Sequence, residues 1–211
     1  ADIAMYQAKE YGRNNFKFFH EQMHADLMEY HELERDIREA LHQGQFHLAY
    51  QPKVNIRINQ LQGLEALLRW NSPTRGNVNP GDFIPVAEES GHIIPLGYWV
   101  LNEVCLTLRS WQDKGLTLVP VSVNVSARQF QQPDFHKRVA EVLRKHSIDP
   151  SLIEIELTEG LVMEDIDSAQ RELAQLKKIG LRISIDDFGT GYSCLSYLRR
   201  FPIDVLKIDK S

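Results

Sequence analysis

The stretch Val119-Pro-Val-Ser-Val-Asn-Val125 alternates apolar and polar residues along most of its length. Successive side chains of a β-strand point to opposite faces, so the valines share one face, and Ser122 and Asn124 share the other. The pattern predicts a strand whose apolar row faces covering helices and whose polar row faces an interior. Asn124 falls near the C-terminal end of this strand.

Four further segments repeat the alternation and place polar side chains on the inner face. These are Glu65 in 64–69, Glu156 in 153–158, Asp186 in 181–186 and Lys207 in 205–209. A (β/α) barrel carries its chemistry at the C-terminal ends of its strands. A lone acid there is usually solvated, but inward charges on strand after strand need partners or a metal. Carboxylate and amide oxygens suit hard cations such as Mg²⁺ and Mn²⁺.

Helical and strand patterns alternate along the chain, which predicts an α/β fold with a mainly parallel sheet. A first helix over 21–43 carries an apolar stripe, for which packing on the barrel is favoured over a free coiled coil. Helices are further predicted near 80–89, 95–114, 133–146, 165–179 and 193–200, strands near 46–51 and 61–70, and a loop over 73–80.

Composition restricts the class of protein. The 211 residues are 43% hydrophobic and 25% charged, as in ordinary globular domains. A net charge of −5 argues against binding to DNA or RNA. The sequence shows neither a membrane-spanning apolar run nor a signal peptide, and membrane contact by this segment is not expected. Cys105 and Cys194 are interpreted as reduced thiols, which predicts a cytoplasmic location.

The segment Asp186-Asp-Phe-Gly-Thr-Gly-Tyr192 places two carboxylates side by side at a strand end. Such a pair repels unless cations lie between its members, and it suits a ligand that bridges two metals about 3.5–4 Å apart. The glycines allow a tight turn beside an anion. Glu159 begins the preceding helix, where an acid also favours the helix dipole, so its role stays open.

Several ordered motifs resemble EAL domains, which are phosphodiesterases of the bacterial second messenger cyclic di-GMP. The resemblance covers roughly residues 30–211. The motifs are Glu65-Ala-Leu-Leu-Arg-Trp70, Tyr50-Gln-Pro52, Phe83-Ile-Pro85, Ser122-Val-Asn-Val-Ser126, Glu156-Leu-Thr-Glu159, Asp186-Asp-Phe-Gly-Thr-Gly191 and Leu206-Lys-Ile-Asp209.

The resemblance implies a (β/α)8-type barrel variant with an antiparallel first strand. Two divalent cations, Mg²⁺ or Mn²⁺, would serve as cofactors. The implied ligands are Glu65, Asn124, Glu156 and Asp186 for the first cation and Asp186 with Asp187 for the second. Lys207 would orient the nucleophilic water, and catalysis is expected to rest on Lys207, Glu65 and Asp187.

Substrate contacts are implied for Gln51 and Arg69, with Arg69 at a phosphate of cyclic di-GMP. Glu159 would stabilise the loop over 186–192, which in this family also takes part in EAL–EAL dimers. The product of ring opening would be linear pGpG. Cys194 stands where the family usually has serine, a small residue in place of another.

The N-terminal motifs Ala1-Asp-Ile-Ala-Met-Tyr6 and Gly12-Arg-Asn14 resemble the end of a GGDEF domain. The expected organisation is a GGDEF remnant over 1–19, a linker helix over 20–44 and an EAL domain over 45–211. The sequence leaves the upstream sensor open, including a membrane anchor in the parent protein.

The EAL domain is expected to be truncated after about six strands, without a further glutamate that serves the second metal. On that expectation the parent is an enzyme, and residues 1–211 by themselves are weak or inactive. Two other interpretations stay open. One is a non-catalytic cyclic di-GMP receptor, although such domains usually lose the signature glutamate or the aspartate pair. The other is a different metal-dependent barrel enzyme.

Overall fold

A computed structural model describes residues 21–189 and 200–209. After a long first helix, strands and helices alternate through this part of the chain. The helices are α1 Glu21–Gln43, α2 Pro80–Ser90, α3 Ile93–Asp113, α4 Ala127–Phe130, α5 Phe135–His146, α6 Glu159–Glu164 and α7 Ile166–Ile179, with a 3-10 turn at Pro150–Leu152. The strands are β1 Phe46–Asn55, β2 Gln60–Ser72, β3 Gly76–Val78, β4 Val121–Asn124, β5 Ile153–Thr158, β6 Arg182–Phe188 and β7 Val205–Ile208.

The described strands form one sheet in the order β1-β2-β4-β5-β6-β7, with β3 paired beside β2. Neighbours from β2 to β7 along this order are parallel, and β1 runs antiparallel to β2. The predicted α/β class and the antiparallel first strand are therefore confirmed. Within the described residues the sheet is not closed, and β1 and β7 form its two ends.

Some short elements were not predicted. The segment 73–80 was expected to be a loop, but β3 lies within it and pairs antiparallel with the end of β2. Its sequence Gly-Asn-Val contains weak strand formers, and the pairing with β2 holds it in place. The helices α4 and α6 have four and six residues, which is too short for a helical period to be read.

The apolar rows of the parallel strands are buried as predicted. Val121, Val123, Ile155 and Ile183 are at most 2% exposed and share one core with buried residues of α3, α5 and α7. Their polar neighbours on each strand consequently face the other side of the sheet. This division between the two faces leaves room for charged side chains in the interior.

The helix α1 packs on the sheet domain through the C-terminal half of its apolar stripe. Ile37 is 1% exposed and Ala40 is fully buried, in a second cluster that includes Phe46, Trp70 and Phe83. The expectation that this helix packs on the barrel is thus met by the residues that the structure describes. Because Trp70 follows Arg69 directly, α1 supports the end of β2.

A capping box fixes the turn that follows β4. The hydroxyl of Ser126 accepts the backbone N–H of Gln129 at 3.4 Å, and Oε1 of Gln129 accepts the backbone N–H of Ser126 at 3.2 Å. The Gln129 side chain is buried against Gly97 of α3. Two residues before this box lies Asn124, so the box anchors the end of the strand that carries it.

The GGDEF-like tail, Cys194 and most of the helix expected near 193–200 lie outside the described residues. Among the helices that the structure does describe, each is too short or too polar to cross a lipid bilayer.

Candidate functional site

The strand register brings the predicted site residues to neighbouring levels of the sheet. Asn124 pairs with Glu156 in the β4–β5 ladder. Asp186 pairs with Thr158, which lies two residues after Glu156 on β5. Glu65 of β2 pairs with the residue two before Asn124 in the β2–β4 ladder. The side chains follow the inner face that the alternation predicted, near the C-terminal ends of the parallel strands.

Lys207 of β7 reaches into the middle of these acids. Its ammonium lies 2.6 Å from Oδ2 of Asp186 and 3.4 Å from Oε2 of Glu65, and it forms an ion pair with Oε1 of Glu156. We call Glu65, Glu156 and Asp186 the carboxylate cluster. Asn124 joins it by donating a hydrogen bond from Nδ2 to Oε1 of Glu65 at 3.0 Å.

Burial and pairing act in opposite directions on the pKa values in this cluster. Burial raises the pKa of Glu156, and the hydrogen bond from Lys207 and the charge of Lys53 partly offset that rise. Burial lowers the pKa of Lys207, but hydrogen bonds to Asp186 and Glu156 outweigh it and raise the pKa well above its usual range. Lys207 is therefore held as an ammonium ion.

The donor set fits a hard divalent cation. It offers carboxylate oxygens and one amide oxygen, which are the ligands that Mg²⁺ and Mn²⁺ prefer, and its carboxylates already converge on the charge of Lys207. Oε2 of Glu156 is buried and accepts no hydrogen bond from the described residues. Within 21–189 and 200–209, no three His, Cys, Asp or Glu side chains stand ready-spaced around a metal position.

The turn after β6 carries the second aspartate. Asp187 has a positive φ of 54°, and its backbone N–H donates to Oδ1 of Asp186 at 2.8 Å. Asp187 is exposed. Oε2 of the buried Glu159 accepts the backbone N–H of Gly189 at 3.0 Å, where φ is 102°. Glu159 thus ties the start of α6 to the turn that holds the aspartate pair.

Neither Gln51 nor Arg69 is among the residues that pair with Lys207 in the carboxylate cluster. Gln51 is exposed on β1 opposite Glu65. Arg69 is half-buried, donates from Nη1 to its neighbour's carbonyl at 2.8 Å, and lines an open cavity of about 440 Å³ with Asn77 and Pro80. Its guanidinium is four residues further along β2 than Glu65, on the same face.

Sequence reasoning missed a second cationic group in the interior. Lys53 of β1 lies 2.5 Å from Oγ of Ser122, 3.1 Å from Oε1 of Glu154 and 3.6 Å from Oε2 of Glu156. Glu154 also pairs with Arg182 at 3.6 Å. We call Lys53, Ser122, Glu154 and Arg182 the interior polar cluster. The inner face of Glu154 was predicted, but nothing in the sequence paired it with Lys53.

Parallel strands whose C-terminal ends gather carboxylates around the Lys207 ammonium define a barrel-type α/β protein with an acidic cluster at one end of its sheet. The chain belongs to the EAL domain family, whose model matches residues 34–211.

The chain is similar to curated proteins over its whole length. It is 46% identical to a bifunctional diguanylate cyclase/cyclic di-GMP phosphodiesterase, MucR, of Pseudomonas aeruginosa over 210 residues, covering 100% of this chain and 31% of that protein. It is 44% identical over 210 residues to the cyclic di-GMP phosphodiesterase PdeR of Escherichia coli, of which it covers 32%. The chain therefore spans about a third of the length of these relatives.

Among solved structures, a MucR phosphodiesterase in complex with cyclic di-GMP superimposes with a TM-score of 0.81 at 46% identity. The match covers 84% of this chain and 72% of that one. The likeness supports the assignment of the fold.

Proposed function

We propose that this chain is the phosphodiesterase part of a bacterial signalling protein and hydrolyses cyclic di-GMP to linear pGpG. The observation that carries the proposal is the carboxylate cluster, which joins acids from three strands around one cation. Identity above 40% to curated cyclic di-GMP phosphodiesterases supports the same substrate.

The carboxylate cluster and Asn124 would hold one divalent cation, Mg²⁺ or Mn²⁺, and Asp186 with Asp187 would hold a second. Such cations supply Lewis acidity at a phosphoryl group and lower the pKa of water. The chain's own contribution is to fix the oxygen donors on rigid strand ends, and Glu159 fixes the turn of the aspartate pair. Lys207 keeps a proton at Nζ and would orient the attacking water.

Arg69 and Gln51 would bind the dinucleotide. The chain carries a net charge of −5, so a dianionic substrate needs a local positive group. The guanidinium of Arg69 can form bidentate hydrogen bonds with a phosphate. The open cavity that Arg69 lines leaves room for a ligand. Gln51 stands at the level of Glu65 on the neighbouring strand, where it could reach the same ligand.

We further propose that residues 1–19 are the end of a GGDEF domain, that α1 is the linker and that the EAL unit forms dimers through the loop over 186–192. The buried free thiol of Cys105 supports a reducing, cytoplasmic location. The receptor function differs from hydrolysis only in turnover, and retention of Glu65 and the aspartate pair favours the enzyme.

The test uses the natural protein that contains this chain, assayed for pGpG formation in Mg²⁺ and in Mn²⁺, with cyclic di-GMP affinity measured separately. Glu65→Ala is expected to abolish turnover. Arg69→Ala should weaken nucleotide binding about 10- to 100-fold, the effect of losing a charge-assisted hydrogen bond. Arg109→Ala, which breaks an exposed ion pair with Asp113, is the control. Tight nucleotide binding without turnover in the wild type would establish the receptor instead.

A further inference from the structure

We propose that Lys207 is a built-in competitor for the divalent cation, because its ammonium occupies the centre of the carboxylate cluster and must move aside before a metal can enter. This inference rests on the proposed metal-dependent function. It assigns to Lys207 a role in setting metal affinity, separate from any contact with the attacking water.

The contacts of Lys207 are those of a bound cation. One ammonium touches carboxylates from β2, β5 and β6, at 3.4 Å from Glu65, 2.6 Å from Asp186 and in an ion pair with Glu156. Its own strand, β7, is separated from β2 by the three strands β4, β5 and β6 in the described sheet. Long-range convergence of this kind neutralises acids that would otherwise repel one another in a buried place.

Lys207 and Lys53 differ in position and not in exposure, since the Lys53 side chain is 30% exposed. The Lys207 side chain is 29% exposed and has a flexible four-carbon stem, so its ammonium can turn toward solvent while the strand stays in place. Lys53 is held by Ser122 at 2.5 Å and Glu154 at 3.1 Å, on the side of Glu156 away from the strand ends. A cation that arrives from the strand ends therefore meets Lys207 first.

The need to displace Lys207 weakens the binding of a divalent cation. A divalent cation in the cluster would lie close to the ammonium, and like charges at such a distance repel strongly where water is scarce. Moving Lys207 out also breaks its ion pairs. Both terms weaken metal binding, so the lysine raises the metal concentration at which the site fills. Once displaced, the ammonium remains a cation beside the site.

The experiment measures Mn²⁺ binding to metal-stripped protein without nucleotide, by calorimetric titration and by counting free Mn²⁺ with electron paramagnetic resonance. Lys207→Met and Lys207→Gln are each expected to bind Mn²⁺ about tenfold more tightly than the wild type or better. Lys137→Met, which removes the same charge from an exposed pair with Asp134, should bind as the wild type does. Glu156→Gln should bind far more weakly, which places the measured ion in the cluster.

A measurement on the wild type covers the case in which the Lys207 variants fail to fold. Lysines are acetylated and mapped by mass spectrometry with and without Mn²⁺. Lys207 should become more reactive when Mn²⁺ is added, because its ammonium is released from the carboxylates, while Lys137 should not change.

Equal or weaker Mn²⁺ binding by both Lys207 variants, or unchanged Lys207 reactivity, would overturn the proposal, as would an absence of Mn²⁺ binding by the wild type. Hydrolysis is not part of these measurements. A protein that gains Mn²⁺ affinity through Lys207→Met yet never produces pGpG would uphold this inference and reject the proposed function.

Discussion

The side-chain amide of Gln129 fills the space that a Cβ atom on Gly97 would need. A Cβ built at Gly97 would lie 1.6 Å from Nε2 of Gln129, so any larger residue forces that side chain to move. Gln129 is 4% exposed and holds both the backbone N–H and the hydroxyl of Ser126. Because Gly97 has no side chain, α4 can dock against α3 behind the strand that ends in Asn124.

Gly97→Ala is expected to reduce the free energy of unfolding by about 1–3 kcal/mol, the usual effect of overpacking a buried contact. Urea denaturation measures this. The matched control is Gly160→Ala in α6, where a Cβ meets nothing within 4 Å, and there we expect no loss of stability. Equal stability of the Gly97 variant and the wild type would mean that Gln129 repacks without strain.

The helix α1 is expected to be part of the EAL folding unit. Ile37 is 1% exposed within the second cluster, so Ile37→Ala should lower the free energy of unfolding by about 2–4 kcal/mol. Met28 on the same helix is 50% exposed, so Met28→Ala should have little effect on the free energy of unfolding. Thermal and urea unfolding followed by tryptophan fluorescence compare the two; similar, small effects would show that α1 is only an appended linker.

The interior polar cluster should contribute to stability through Lys53. Lys53→Met leaves Glu154, which is 5% exposed, without its 3.1 Å partner, and we expect a loss of about 1–3 kcal/mol. The double variant Lys53→Met/Glu154→Gln should lose less than the sum of the two single changes, because both remove one interaction. Urea denaturation of all four proteins gives the coupling, and strict additivity would contradict it.

Asp204, which precedes β7, should make stability depend on pH. Burial raises the pKa of its carboxyl, but hydrogen bonds from the Lys177 ammonium and the Ile183 backbone N–H outweigh this and lower the pKa. A folded-state pKa below the unfolded value stabilises the fold above the unfolded pKa of about 4, and this contribution is lost as pH falls through the folded pKa.

Asp204→Asn should therefore be less stable than the wild type at pH 7, and the difference should shrink as the solution is acidified below about pH 4. Urea unfolding at several pH values measures it. Lys177→Met should reproduce the loss at pH 7, and Asp113→Asn, at an exposed ion pair, should change little at any pH. A constant gap between Asp204→Asn and the wild type down to acid pH would refute the assignment.

The parts of the fold that alternation controls could be predicted from the sequence. The segment Leu181–Asp186 gave the correct inner and outer faces because Ile183 and Ile185 must be buried and a strand has a period of two. The strand continues to Phe188, since its pairing with β7 extends past the aspartates. Pairing with β7 leaves no local signal in β6. β3 was missed for another reason, because it has only three residues and two of them, Gly76 and Asn77, are weak strand formers.

The shared face of the candidate site residues could be predicted from the sequence, but their contacts could not. Glu65, Asn124, Glu156 and Asp186 were placed on one face, yet the position of the Lys207 ammonium among the acids depends on side-chain torsions and on the curvature of the sheet. Lys53 was overlooked because a lysine on a terminal strand is usually solvated. Its contact with Glu154 joins residues 101 positions apart in the chain, which no local pattern reveals.

The antiparallel pairing of β1 with β2 has a practical consequence for protein engineering. Because β1 and β2 form a hairpin, their connecting turn between Asn55 and Gln60 lies at the end of the sheet opposite the carboxylate cluster. Ile56 there is 93% exposed and Ile58 is 59% exposed. A fluorescent reporter or an affinity tag inserted in this turn would lie at the end of the sheet away from the carboxylate cluster, so the label would leave the cluster unobstructed.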